Sequence, residues 1–145
     1  MSAKWMTAMA VACALATTAA HAKPPTKSAD AALAAKMVGT WINPPDSADY
    51  EGVPSREIYY ADGTYLYYEY EDKACQKLVS STTSRWFVWE GALFNEYPEG
   101  QRLKDEIVSL QGKKVVLRSA EDNLTYHRIK SSGCPTELPA PTARR

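Results

Sequence analysis

Short β-forming runs, separated by turn residues, follow one another along most of this chain and constrain its fold more than any other feature. The clearest pair is 56–60 and 64–71, which are joined by Ala61-Asp62-Gly63. Asp-Gly tolerates the positive φ of a tight hairpin turn, and the second run is rich in tyrosine, which favours strands. Further strand-like runs lie at 38–42, 77–89 (with 80–84 as a possible break), 92–97, 102–110, 113–119 and 124–130.

This spacing predicts an all-β domain of about eight short strands in an up-and-down antiparallel barrel or a sandwich. No long amphipathic helix separates the runs, so βαβ units are not expected. The one predicted helix is short, covers 28–37, and carries Asp30 near its start ahead of an Ala-rich body.

Residues 1–22 have the pattern of a secretory signal peptide. Lys4 supplies the positive charge, 5–16 is apolar and Ala-rich, and Ala20-His21-Ala22 is a small-x-small cleavage pattern before Lys23. Two alternatives are an N-terminal helix of the mature protein and lipoprotein processing at Cys13. The pattern predicts a periplasmic or secreted protein with a flexible lead-in at 23–28, a domain at 29–135 and a disordered tail at 136–145.

Cleavage would leave two cysteines, Cys75 and Cys134. In an exported chain such a pair predicts a disulfide, closing a loop of about 60 residues and stabilising the fold by about 4 kcal/mol. Loss of Lys4 from a chain with 17 basic and 17 acidic residues leaves a charge near −1. A nucleic-acid partner is therefore not expected, nor is a membrane span after cleavage, since no apolar stretch of about 20 residues exists.

Several of these runs together resemble the lipocalin-like (calycin) domains of small secreted bacterial proteins. Gly39-Thr40-Trp41 matches the G-x-W signature of the first lipocalin strand, and Arg128 lies in the last strand, where lipocalins place an arginine against that tryptophan. Residues 56–65 resemble the second hairpin, and 86–91 with 105–107 fit the later strands. The resemblance implies a β-barrel, structural roles for Gly39, Trp41 and Arg128, and a lipophilic ligand.

The interior of an eight-stranded barrel is just wide enough to be filled by side chains or to hold one small ligand. Alternation places Tyr65 and Tyr67 on one face of their strand and Leu66, Tyr68 and Tyr70 on the other, without deciding which face is inside. We expect a non-enzymatic binding protein for a small apolar or amphipathic ligand. The candidate ligand residues are Tyr60, Tyr65, Tyr67, Trp86 and Trp89.

Catalytic, metal and cofactor chemistry have little support. Acidic side chains flank the tyrosine hairpin and crowd the loop before it, but in no spacing typical of a glycosidase or EF-hand site. His127 would be the one histidine of the mature chain, and no nucleotide-binding motif occurs, so no metal or cofactor is expected. An alternative function is a protein-interaction module, such as an inhibitor or immunity protein against a cell-wall-degrading enzyme, with 43–55 or 98–101 inserting into its partner.

Overall fold

The computed structural model describes residues 27–72 and 74–131, apart from the side chain of Lys27. Eight antiparallel strands, each paired with the next and the last with the first, form a closed barrel preceded by one short helix. The predicted up-and-down barrel is confirmed. The elements are α1 (Lys27–Met37), β1 (Gly39–Ile42), β2 (Ser55–Tyr59), β3 (Thr64–Tyr70), β4 (Leu78–Trp89), β5 (Ala92–Glu96), β6 (Arg102–Gln111), β7 (Lys114–Ser119) and β8 (Thr125–Lys130).

The sequence-based boundaries differ from these bounds in two informative places. The helix begins at Lys27, inside the segment expected to be a flexible lead-in. The possible break at 80–84 is wrong, because β4 runs unbroken through it and pairs with β3 along that stretch. Alternate Ser and Thr side chains of 80–84 face the barrel interior, so this polar run is a strand with a polar inner face.

One half of the barrel interior is a packed apolar core. Its buried residues come from the helix and from six strands, and they are Met37, Trp41, Tyr59, Tyr65, Trp86, Leu93, Val115 and Leu117. Tyr59 packs between Tyr65, at a centroid distance of 4.9 Å, and Trp86, at 5.2 Å. We call this half, where α1 packs against the core, the closed end of the barrel.

The outer face of β2 and β3 is also buried. Leu66, Tyr68 and Tyr70 form a second cluster there with Cys75, and Ile58 packs against it. Alternation along β3 therefore separates two buried faces. Tyr65 and Tyr67 point inward, whereas Leu66, Tyr68 and Tyr70 lie on the outer face.

The expected contact of Arg128 with Trp41 is wrong, and Lys130 takes that place. Lys130 is the register partner of Trp41, and its Nζ lies 5.2 Å from the centroid of the indole ring. Arg128 lies one inward position further along β8 and instead stacks on Tyr126, at 4.6 Å. Trp41 is fully buried and donates its indole N–H to the carbonyl of Met37 at 2.7 Å.

Lys130 also ties the helix to the barrel. Its ammonium group donates to the carbonyl of Lys36 at 3.0 Å, which satisfies an acceptor at the helix C-terminus. Gly39 allows this arrangement, because a Cβ there would lie 2.6 Å from Cε of Lys130 and its φ is +131°. A lysine, and not the arginine, thus lies against the indole ring of Trp41.

The other end of α1 is fixed by a carboxylate. Asp30 accepts hydrogen bonds from the backbone N–H groups of Glu90, at 2.9 Å, and Gly91, at 3.0 Å, in the turn between β4 and β5. The helix therefore meets the barrel at both of its ends.

Some sequence-based predictions lie outside the described residues. These are the signal peptide at 1–22, most of the lead-in, Cys134 and the tail at 136–145. Over the part of the chain that the structure describes, no helix is long and apolar enough to cross a bilayer.

Candidate functional site

The interior at the opposite end of the barrel is polar. We call this half, into which the turns 43–54, 71–77, 97–101 and 120–124 lead, the open end. Most inward-facing positions there carry carboxylates, tyrosines and hydroxyls. They include Glu57 on β2, Tyr67 on β3, Thr82 on β4, Asp105 on β6, and Tyr126 and Arg128 on β8.

Arg128 organises this polar interior. Its guanidinium donates from Nε to Oε1 of Glu57, at 2.7 Å, and makes a two-pronged pair with Asp49, at 2.9 and 2.6 Å. Burial alone would lower the pKa of Arg128, but the charge of Glu57 and the hydrogen bonds to both carboxylates raise that pKa above its ordinary value. Arg128 therefore stays charged and holds Glu57, which is almost fully buried, as an ion pair.

The loop between β1 and β2 folds over part of the open end. Burial raises the pKa of Asp49, but its hydrogen bonds from Arg128 and Ser47 outweigh that effect and keep the carboxylate ionised. Ser47 donates to Asp49 at 2.6 Å and accepts from the backbone N–H of His127 at 3.0 Å. The side chain of His127 lies 3.3 Å from Asp46. This loop is thus attached to β8 at three points.

Asp105, like Glu69, is a carboxylate of this interior that the guanidinium does not bind. Burial raises its pKa to about 6, against the opposing hydrogen bond from the Tyr126 hydroxyl. The negative charge of Glu57 raises the pKa of Asp105 further, and the positive charge of Arg128 lowers it. Within the described residues Asp105 takes part in no ion pair. It lines a cleft of about 570 Å³ together with Asp49, Tyr126 and Arg128.

A second, larger cleft opens where β4 extends beyond the end of β5. Residues 85–89 of β4 pair with β5, whereas over the described backbone 78–84 pair only with β3. The gap between this stretch and the turn at 97–101 forms a cleft of about 1610 Å³, lined by Ser84, Tyr97 and the neighbouring polar residues. The wall of the barrel is therefore incomplete at the open end.

Tyrosine rings surround the polar interior. Burial raises the pKa of Tyr65, Tyr67, Tyr97 and Tyr126, and the negative charge of Glu57 raises each of them further. All of these phenols remain neutral hydrogen-bonding groups at physiological pH. Tyr67 donates to Glu69 at 3.1 Å, and Ser80 also donates to Glu69.

The predicted ligand residues do not converge on one site. Tyr65 and Trp86 belong to the packed core of the closed end, and Trp86 donates its indole N–H to the carbonyl of Tyr60 at 2.8 Å. The side chains of Tyr60 and Trp89 are exposed on the outside, where Trp89 lines an apolar surface cleft of about 360 Å³ beside α1. Tyr67 alone among the five faces the polar interior of the open end.

Asp105, Tyr97 and Tyr126 are the site residues that the sequence reasoning missed. Alternation in 102–110 places Leu103, Asp105 and Ile107 on one face of the strand. Arg102, Lys104 and Glu106 lie on the other face. A carboxylate between two apolar residues on the inner face is a pattern that could have indicated a buried polar site. In the loop at 43–54, Asp49 is held by Arg128 and Asp46 lies beside His127, and the described residues contain no group of three or more His, Cys, Asp or Glu that could hold a metal ion.

Comparisons with protein-family models, with curated proteins and with solved structures give no significant match to this chain. The eight-stranded barrel with a helix before its first strand is consistent with a lipocalin-like fold. The function of this chain is therefore inferred from the geometry of the open end.

Proposed function

We propose that this chain is an exported, non-enzymatic lipocalin-like protein that binds a small amphipathic ligand in the open end of its barrel. The observation that carries the proposal is the contrast between the two ends. The closed end is filled by Trp41, Tyr59 and Trp86, whereas the open end has clefts lined by tyrosines and hydrogen-bonding groups. Pockets with apolar rings and a few fixed polar groups are typical of small-molecule sites.

Two features support the exported setting of this proposal. One is the signal-peptide pattern of 1–22. The other is Cys75, which is buried in the outer cluster of β2 and β3 and is proposed to pair with Cys134. Such a disulfide would link the chain after β8 to the turn between β3 and β4.

Native mass spectrometry of the mature protein, isolated from its own host, tests the binding function. Thr82 faces the interior beside Tyr67 and lines the 1610 Å³ cleft, whereas Val108 on β6 is half exposed and lines none of the clefts. We expect a co-purifying small-molecule mass in the wild type and in V108W, and its loss in T82W, where an indole fills the open end. A bare chain in all three proteins would contradict the proposal.

A second candidate function, the protein-interaction module, is favoured by the outer face of β4 and β5. Phe87 stacks on Phe94 at 5.0 Å, and the cationic groups of Arg102 and Lys104 lie 5.8 Å from these two rings. Trp89 is exposed on the same side of β4. Exposed aromatic residues beside charges are typical of interface hot spots. Recovery of a stoichiometric partner by the wild type but not by F87A would support this function.

A further inference from the structure

The polar interior of the open end contains two buried polar side chains whose hydrogen bonds are incomplete. Asn95 is 5% exposed and Ser84 is 4% exposed, and both project inward, from β5 and β4. Within the described residues, Oδ1 of Asn95 and Oγ of Ser84 have no hydrogen-bond partner. Oδ1 of Asn95 can only accept, and an unpaired buried acceptor costs about 1–3 kcal/mol, so this atom indicates a place for a group that donates to it. The Ser84 hydroxyl can either accept or donate.

The register brings Asn95 near Asp105. On β5 and β6, Leu93 is opposite Asp105 and Asn95 is opposite Leu103, so Asn95 is the diagonal neighbour of Asp105 on the inner face. Asp105 lines the 570 Å³ cleft and is reachable from outside the barrel. Tyr126 donates its hydroxyl to Asp105, and its ring is a wall of the same cleft.

The charge balance of this interior indicates the sign of the charge that its ligand carries. Four carboxylates, Asp49, Glu57, Glu69 and Asp105, lie in this interior with one guanidinium, that of Arg128, which binds the first two. Glu57, Arg128, Asp122 and the Tyr126 hydroxyl act on Asp105. The wall of its cleft carries four carboxylates, Asp49, Asp105, Glu121 and Asp122, against three cations, Arg102, Lys104 and Arg128. The carboxylates among them leave an excess of negative charge, which an anionic ligand would meet unfavourably.

We infer that the ligand of the open end is a protonated organic amine, with Asp105 as the counter-ion of its ammonium group. The inference depends on the proposed binding function and names the ligand class for that site. The ammonium N–H groups donate to Asp105 and to Oδ1 of Asn95, and the hydrocarbon part lies against the tyrosine rings of the cleft. Rings of this kind also attract cations through their π faces.

Isothermal titration calorimetry with three eight-carbon probes tests the inference: n-octylammonium, octanoate and 1-octanol. We expect octylammonium to bind at least tenfold more tightly than the other two at pH 7.5. D105N should weaken its binding at least tenfold, since the amide carries no charge but still accepts from Tyr126. E106Q, which alters the adjacent outward-facing carboxylate, should leave binding unchanged.

The pH dependence provides a second measurement. Octylammonium stays protonated between pH 5 and pH 7.5, whereas Asp105 takes up a proton as the pH falls through about 6. We therefore expect wild-type affinity to drop at least fivefold between pH 7.5 and pH 5, and D105N to show no such drop.

The outcomes separate the inference from the function on which it depends. Equal binding of octanol or octanoate, or full octylammonium affinity in D105N, would overturn the amine assignment while the binding function stands. A co-purified mass without a basic nitrogen would do the same. Failure of all three probes together with a bare chain in native mass spectrometry would overturn both.

Discussion

Replacement of Asp105 by Asn should stabilise the protein at neutral pH, which is the opposite of the usual effect of a mutation in a folded domain. The folded state raises the pKa of this carboxyl from an ordinary value of 3.8 to about 6, because burial disfavours the charged form. Each pH unit between the folded and unfolded pKa corresponds to about 1.36 kcal/mol. The ionised carboxylate therefore costs the fold about 3 kcal/mol at pH 7.

The sign of the pH dependence follows from linkage. Because the folded state binds this proton more tightly than the unfolded state, the contribution of Asp105 is most favourable below pH 4. It declines as the pH rises from about 4 to about 6, and it is constant above that. D105N does not titrate, so it should match the wild type near pH 4 and exceed its free energy of unfolding by up to about 3 kcal/mol at pH 7.

Urea unfolding followed by tryptophan fluorescence at pH 4, 5, 6 and 7 measures this difference directly. E106Q is the matched control. Glu106 is exposed and paired with Arg118, so its loss should change the free energy of unfolding by less than about 1 kcal/mol. The reasoning would be refuted if D105N were less stable than the wild type at pH 7, or if its effect were the same at every pH.

Four further predictions concern the contacts that hold the barrel together. R128A should lower the free energy of unfolding by about 3–5 kcal/mol, measured in urea, because it leaves a buried carboxylate without its cation; a loss below 1 kcal/mol would contradict the central role of this guanidinium. K130A should lower it by about 1 kcal/mol through the lost cation–π contact, and K130R should restore most of that stability; an unchanged melting temperature for K130A would count against the contact. D30A should cost about 1 kcal/mol and speed hydrogen exchange at the amides of the β4–β5 turn, where equal exchange rates would show that the carboxylate does not hold the helix. Reduction of the proposed Cys75–Cys134 disulfide should cost about 4 kcal/mol, and a denaturation midpoint insensitive to dithiothreitol would argue against that bond.

The architecture could be predicted from the sequence because turn residues and β-forming runs are local signals. Asp62-Gly63 gives the hairpin between β2 and β3, with Asp62 accepting from the Thr64 N–H at 2.9 Å. The Ser- and Thr-rich stretch of β4 was misleading, since a polar inner face was not expected. Its side chains follow the alternation of a strand whose interior neighbours, Tyr67 and Glu69, are themselves polar.

The side-chain partners could not be predicted to the same accuracy. Whether Arg128 or Lys130 contacts Trp41 depends on the register between the first and last strands, which lie far apart in the sequence and which no turn connects. Alternation correctly grouped Tyr65 with Tyr67 but could not reveal that Tyr65 packs in the core of the closed end whereas Tyr67 faces the polar interior. Likewise, the residues next to Asp105 in the sequence do not predict that Asn95 and Tyr126 lie beside it in the fold.

Hydrogen–deuterium exchange on the mature protein tests whether a ligand occupies the open end, by comparing the protein as isolated with protein unfolded and refolded free of small molecules. Ligand loss should speed exchange around the open end, in 78–84 of β4, in the turn 97–101 and in 119–126. Exchange in β1 and the helix at the closed end should not change. Identical exchange in both preparations, or differences confined to the closed end, would contradict the binding of a ligand in the open half of this barrel.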